Sequence, residues 1–492
     1  MNKNRSKRAA TGAHSIAILG VIFDNVTTSE TIALIEKMVA SRLPHYLATA
    51  NVDFLVQALH DVELRRILMD AHLVLCDGTP LLWASRFLGN PLPERVAGSD
   101  LVPLLIQIAE QKKYRIYFLG GTPKALAQAV ANLKKQFPHL IIAGFESPPF
   151  QKLIDMDHQE IKRRIQEAKP DLLFVSFGCP KQEKWIAMHY RSLGVPVSIG
   201  VGATIDFLAG TARRAPKIMR KTGTEWTFRL MQEPRRLLRR YIFDLWWFGR
   251  AILKQWWKMQ FSKGRKKNAS LTAIVQEQEE WRQIQLSNRL DVQTVQRDAL
   301  RCEEALSQSR YCLLELNKIT FIDSTGMGLL IRLQKKARVA GRHLILVAPS
   351  SSVQSALRLM RLREFFSIVP DLPSAHEMMK NLQTGPSIKI HPGSSPANFS
   401  ILWQGEITAT NADEIWKFTE QQIAAQAQAG GQLRIDLSAL QFIDSSGLGV
   451  MVRARKNAAQ RDVKLSFTGI QPNVRNVLRM ARLESVLLGE SK

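Results

Sequence analysis

Between Ser15 and Gly202, short apolar runs alternate with longer segments whose apolar positions recur every three to four residues. Compact runs rich in Val, Ile, Leu and Phe, bounded by glycine or polar breaks, read as strands, and the longer periodicity reads as helix. The pattern predicts strands over Ile16–Phe23, Tyr46–Thr49, Leu73–Cys76, Arg115–Leu119, Leu140–Ala143, Leu172–Phe177 and Val197–Val201. Helices are expected at Glu30–Val39, Val52–Met69, Ala125–Phe137 and Gln159–Ala168. Such alternation implies an α/β core, a mainly parallel sheet with helices on both faces.

The ligand crevice of such a sheet lies beyond the carboxyl ends of its strands. Four loops there carry polar or glycine-rich sequence: Thr49–Asn51, Asp77–Pro80, Gly120–Pro123 and Gly178–Glu183. Asp77 directly follows an apolar strand. Two readings fit it: an N-cap for a helix beginning near Pro80, or a general base that takes a proton from an attacking hydroxyl. Gly120-Gly121 fits either a tight turn or a backbone approach to phosphate. The GxGxxG pattern is missing, which disfavours a dinucleotide-dependent dehydrogenase.

Past Arg213 the pattern changes. Residues 213–267 hold seventeen Lys/Arg against three acidic residues, over half of the chain's net charge of +25, together with five of its ten tryptophans (Trp226, Trp246, Trp247, Trp256 and Trp257). Indoles and cations on amphipathic helices suit the boundary between water and lipid. Interleaved basic and aromatic residues also suit a nucleic-acid surface, and Trp pairs also pack in cores. Beyond Asn268 an internal repeat appears: ITFIDSTGMGLLIRLQKKA returns as LQFIDSSGLGVMVRARKNA, with Asp323, Gly326, Gly328 and Arg332 recurring 121 positions later at Asp444, Gly447, Gly449 and Arg453. Two tandem domains of one fold follow.

Composition narrows the picture. A length of 492 residues calls for several domains. The four cysteines lack CxxC spacing and the ten histidines lack ligand spacing, so neither a disulfide framework nor a structural zinc site is expected, and a reducing compartment is the simplest one. No cofactor is expected. The basic start and short apolar run of MNKNRSKRAATGAHSIAILGVIF read as a flexible tail entering a strand. No apolar run reaches the ~18 residues of a membrane span.

The segments CDGTP, FLGGTP, FVSFGCPKQEKWI, VGATIDFLAG, RRAPK and EWTFRLMQEPRRLLRRY, in this order, resemble the WecG/TagA/CpsF glycosyltransferases from Ile16 to Tyr241. That resemblance implies a Rossmann-like core and an inverting, metal-independent transfer of N-acetylmannosamine or a relative. The donor would be a UDP-sugar and the acceptor a polyprenyl-diphosphate-linked sugar in surface polysaccharide synthesis. By motif, Asp77 matches the general base, Thr49 and Asn51 match donor-sugar positions, and Arg95 and Gln182 match further polar positions. Arg229, Arg236 and Arg239 match arginines assigned to the diphosphate. Lys181, Glu183 and Asp206 are expected to be structural, and Arg214, Arg235 and Arg240 to face solvent or lipid.

The repeated half is similar to STAS domains, known from anti-sigma factor antagonists. This implies a phosphorylated hydroxyl, with Ser324, Thr325, Ser445 and Ser446 as candidates, and a partner kinase or anti-sigma-like protein. A plain helix-capping role for the Asp-Ser motif is the alternative. The organisation expected is a tail (1–14), a transferase core (15–212), a basic Trp-rich arm (213–267) and two STAS domains (268–385 and 386–492). A lipid-borne acceptor favours the membrane surface over nucleic acid as the arm's partner, and a peripheral place on the inner face of the cytoplasmic membrane. A second reading makes the chain an inactive transferase that serves as a phosphoswitch scaffold; the joint presence of Asp77, Arg95, Gln182 and the arm arginines argues against it.

Overall fold

The structure is a computed structural model. It describes residues 15–216, 219, 224–232, 234–261, 274–277, 280–383, 388–390, 398–429 and 431–488. The expected tail and the expected boundary at Thr384–Pro386 lie outside these.

The chain enters through β1 (Ile16–Ile18) and β2 (Val21–Phe23), then runs α1 (Thr28–Ser41), β3 (His45–Ala50), α2 (Val52–Ala58), α3 (Val62–Asp70), β4 (Leu73–Cys76) and α4 (Thr79–Phe87). There follow α5 (Gly98–Lys112), β5 (Arg115–Gly120), α6 (Pro123–Gln136), β6 (Ile141–Glu146), α7 (His158–Ala168), β7 (Leu172–Ser176), α8 (Lys181–His189), β8 (Val197–Gly200) and α9 (Thr204–Ala209). Six of these strands form one parallel sheet in the order β4-β3-β8-β7-β5-β6. Separate apolar clusters cover its two faces, as the continuous apolar strands require.

The first apolar run departs from expectation. It is not a sheet strand but an antiparallel hairpin, β1 against β2, turning at Leu19-Gly20 with both residues at positive φ. A side chain at Gly20 would meet the Met360 carbonyl at 2.5 Å. The hairpin is apolar on both faces because both are covered: Ile16, Ile18, Val21 and Phe23 join the core of the N-terminal half, while Ala17 and Ile22 join the core of the first repeat copy. The expected helix Val52–Met69 is two helices, broken where Asp61 caps α3 by accepting from Leu64 N (2.9 Å).

The arm is helical, α10 (Glu225–Gln232) and α11 (Pro234–Phe261). Leu237, Phe248, Ile252 and Gln255 form the packed face of α11, with Trp256 stacked on Phe87 at 5.0 Å. The opposite face leaves Leu238, Ile242, Leu245, Trp246, Leu253 and Trp257 exposed. Trp256 therefore belongs to the packing and not to the exposed set. Among the described residues no helix is long and apolar enough to cross a membrane.

Each repeat copy is a small α/β unit: parallel strands with one antiparallel edge strand, Ile274–Glu277 in the first and Ile388–Ile390 in the second. Both dock on α3. Arg65 donates to the Arg361 carbonyl (3.0 Å) and Asp70 pairs with Arg338 (3.3 Å) in the first copy. In the second, Arg66 pairs with Glu406 and lies over the Phe442 ring at 4.1 Å.

Candidate active site

Asp77 leaves the end of β4, its N–H donating to the Ala50 carbonyl at the end of β3 (2.9 Å). The following helix α4 has Gly78, and not Asp77, at its N-cap position. The chain returns to the same strand end through Val96, whose N–H donates to the Cys76 carbonyl (2.9 Å), and this places Arg95 beside Asp77. Thr49 sits buried in β3, donating to the Gly200 carbonyl (3.3 Å). Asn51 caps α2 by accepting from Phe54 N (3.2 Å). Residues 49, 51, 77 and 95 are thus collected at one edge of the sheet.

Arg95 is a junction. Its guanidinium reaches Asp100 (2.6 Å) and Glu225 of α10 (2.8 Å). Burial opposes its charge, but Asp77, Glu225 and Asp100 outweigh burial and raise its pKa. Asp100 also pairs with Arg214, which is therefore an inward strut and not the solvent- or lipid-facing side chain expected. Glu225 escaped the sequence reading; the available signal was an acid within a strongly basic stretch. The arm is fastened to the strand-end loops through these pairs.

Gln182 is 2% exposed. Its Oε1 accepts from Gly178 N (3.2 Å) and Gly202 N (3.1 Å), and its Nε2 donates to Glu183 (2.6 Å), so it braces the loops after β7 and β8. Burial pushes the Glu183 carboxyl up to about 7. The Gly121 N–H donates to the Ser176 carbonyl (2.9 Å), which engages it in the turn. Arg239 is exposed on α11. The side chains of Arg229 and Arg236 lie outside the described residues.

A family model described as the glycosyl transferase WecG/TagA/CpsF family matches residues 16–262. The chain belongs to this glycosyltransferase family. An N-acetylglucosaminyldiphosphoundecaprenol N-acetyl-beta-D-mannosaminyltransferase of Staphylococcus aureus (strain MW2) is 30% identical over 224 residues, 45% of this chain and 86% of that protein. A protein of the same name from Bacillus spizizenii is 32% identical over 191 residues, 39% of this chain and 72% of that one. The STAS domain model matches residues 272–375 and 395–491. The anti-sigma factor antagonist SpoIIAA in its unphosphorylated form aligns with 24% of this chain and 100% of its own, at 16% identity and a TM-score of 0.19.

In both STAS domains the motif aspartate caps its helix: Asp323 accepts from Thr325 N (2.8 Å) and Gly326 N (2.9 Å), Asp444 from Ser446 N (2.8 Å) and Gly447 N (3.0 Å). The candidate hydroxyls of the first copy are buried, Ser324 and Thr325 each 1% exposed. They face the WecG/TagA/CpsF half, where Gln255 Nε2 donates to Ser324 (3.1 Å) and Asn90 to Thr325 (3.0 Å). Gln255 also donates to the Ala17 carbonyl (3.1 Å) and accepts from Leu19 N (3.0 Å), tying arm, hairpin and motif helix together. Ser445 and Ser446 are half-buried, and Ser445 N donates to Glu63 of α3 (2.6 Å). Burial, then the neighbouring Glu63 charge, raises Asp444 to about 7.

Proposed function

We propose that this glycosyltransferase moves N-acetylmannosamine or a relative from a UDP-sugar to a polyprenyl-diphosphate-linked sugar, with inversion and without a metal. The observation that carries the reading is the placement of Asp77: a carboxylate at a strand end, beside Arg95 and next to the arm's point of attachment. The relatives' names, a mannosaminyl group passed to a diphosphoundecaprenol-linked N-acetylglucosamine, support the substrate class.

In the reaction the acceptor hydroxyl attacks the anomeric carbon from the face opposite the diphosphate. Asp77 takes the hydroxyl proton as the new C–O bond forms, and the bond to the diphosphate oxygen breaks. Thr49 and Asn51 hold the donor sugar, Gln182 keeps the loops behind it in place, and Arg95 lies beside Asp77. Arg229, Arg236 and Arg239 neutralise the departing UDP, the part of the chemistry where fixed positive charge contributes most. The exposed apolar and aromatic face of α11 rests on the inner face of the cytoplasmic membrane, where the polyprenyl acceptor lies. The STAS pair regulates the arm by docking on it and on α3, and a kinase or anti-sigma-like partner acts by competing for those faces.

Release of UDP from UDP-N-acetylmannosamine, given a polyprenyl-diphosphate-linked N-acetylglucosamine, tests the proposal. Asp77→Asn is expected to lower turnover by roughly 10²–10⁴-fold. Undiminished turnover would remove Asp77 as the base.

A further inference from the structure

The two STAS copies present the same surface in two states. In the first copy it is filled: a side chain at Gly328 would meet the Ser15 carbonyl at 2.7 Å, Arg332 pairs with Glu303 (3.1 Å), and Arg361 reaches the Leu59 carbonyl. In the second copy, 121 positions on, Gly449 has nothing within 4 Å of where its Cβ would lie. Ala424 stands where Glu303 stood. Arg453 and Arg482, the counterparts of Arg332 and Arg361, line a cavity of about 730 Å³ between this copy and the transferase. Neither forms an ion pair among the described residues.

Seven Lys/Arg side chains and four carboxylates line this cavity, and most of the carboxylates are already engaged. Asp61 and Glu63 both hold Lys184 at 2.8 Å, and Asp157 accepts from Glu160 N (3.1 Å) as the cap of α7. The transferase wall adds Lys162 and Arg191, and a His158–His189 pair in ring-nitrogen contact at 3.0 Å. Burial first, then His158, Lys162 and Arg453, lower His189 to about 2, and burial lowers His158 as well, so the pair is neutral and feels the charge of Arg453 from the opposite wall. Thr49, Asn51, Asp77, Arg95 and Gln182 are all absent from the lining; the cavity is separate from the catalytic edge.

We propose that this cavity binds a phosphate-bearing small molecule of nucleotide size, held by Arg453 and Arg482 of the second STAS domain and Lys162 and Arg191 of the transferase. Cations in excess over carboxylates in a partly enclosed cleft concentrate multivalent anions, and the planar guanidinium fork suits phosphate oxygens. The volume falls within the ~300–1,000 Å³ of small-molecule sites. Because the cations come from both domains, the bound molecule clamps the second copy onto the transferase.

The test uses full-length protein and inorganic pyrophosphate, read by hydrogen exchange and calorimetry. Pyrophosphate is expected to protect amides in Ser445–Gln460 and at the start of α7. Arg453→Ala/Arg482→Ala abolishes that protection, and Lys162→Ala on the opposite wall weakens binding about tenfold. The Arg453, Arg482 and Lys162 side chains have no ion pair among the described residues, so folding is expected to persist, with melting curves as the check. Asp77→Asn keeps the effect, which separates this site from the catalytic one. Absence of protection in Ser445–Gln460, equal protection by sodium sulfate at matched ionic strength, or wild-type protection in the double variant overturns the proposal.

Discussion

Glu225→Gln is the most direct probe of how the arm serves catalysis. The Glu225 side chain is 8% exposed and that of Arg95 is 17% exposed, so their contact at 2.8 Å is largely shielded from water. A charge-assisted hydrogen bond in such a place contributes about 1.5–3 kcal/mol. Arg95 keeps Asp100 at 2.6 Å, so the substitution does not strand a buried cation, and the lower part of that range, about 2 kcal/mol, applies. At about 1.36 kcal/mol per factor of ten, kcat/KM should fall roughly 30-fold if catalysis requires α10 in place. The assay is steady-state UDP release from the UDP-sugar and lipid-linked acceptor, paired with hydrogen exchange across Glu225–Gln232. Wild-type kcat/KM in a variant whose α10 amides exchange faster would refute the idea that arm docking completes the site.

Glu183→Gln should flatten the pH dependence of stability. A carboxyl raised from 4.5 to about 7 stabilises the fold most fully below 4.5, and that stability, about 3 kcal/mol, is lost as pH rises through 7; the variant's gain in Tm is therefore expected to be larger at pH 8 than at pH 5, and equal gains would count against burial as the cause. Trp246→Ala/Trp257→Ala should reduce co-sedimentation with anionic vesicles, and wild-type binding should weaken with salt. Trp256→Ala should instead lower Tm, and identical vesicle binding by the double variant and wild type would exclude the exposed face of α11 as the lipid contact. Ser324→Glu inserts a carboxylate at a site 1% exposed, at a cost of about 3 kcal/mol; limited proteolysis should release the C-terminal half faster, and an unchanged rate would show that the Gln255–Ser324 contact does not hold the domain.

The parallel sheet was legible because its strands are apolar on both sides and bounded by breaks. Leu73–Cys76 needed no revision. The hairpin was not legible: an all-apolar octet reads equally well as one strand, and only Leu19-Gly20 hints at a turn. The break between α2 and α3 was written in Asp61, a capping residue followed by Val-Glu, but the unbroken helical periodicity masked it. At the site, Asp77 and Arg95 stood out because both lie in breaks beside apolar segments. Glu225 and Arg214 did not, because their partners, Arg95 and Asp100, lie more than a hundred positions earlier. The same limit hid the docking of the STAS domains: Glu63 with Ser445, and Gln255 with Ser324, leave no local pattern.

The hairpin Ile16–Phe23 places one of its faces in a core completed by residues near 327–366. On the ribosome, Ala17 and Ile22 emerge roughly 300 residues before the surface that covers them. At about 5–20 residues per second that interval is roughly 15–60 s, long compared with the ~1–10 μs in which a hairpin forms. The nascent transferase must therefore carry an uncovered apolar strip for most of its synthesis, and a chaperone that binds short apolar segments would find its first target there.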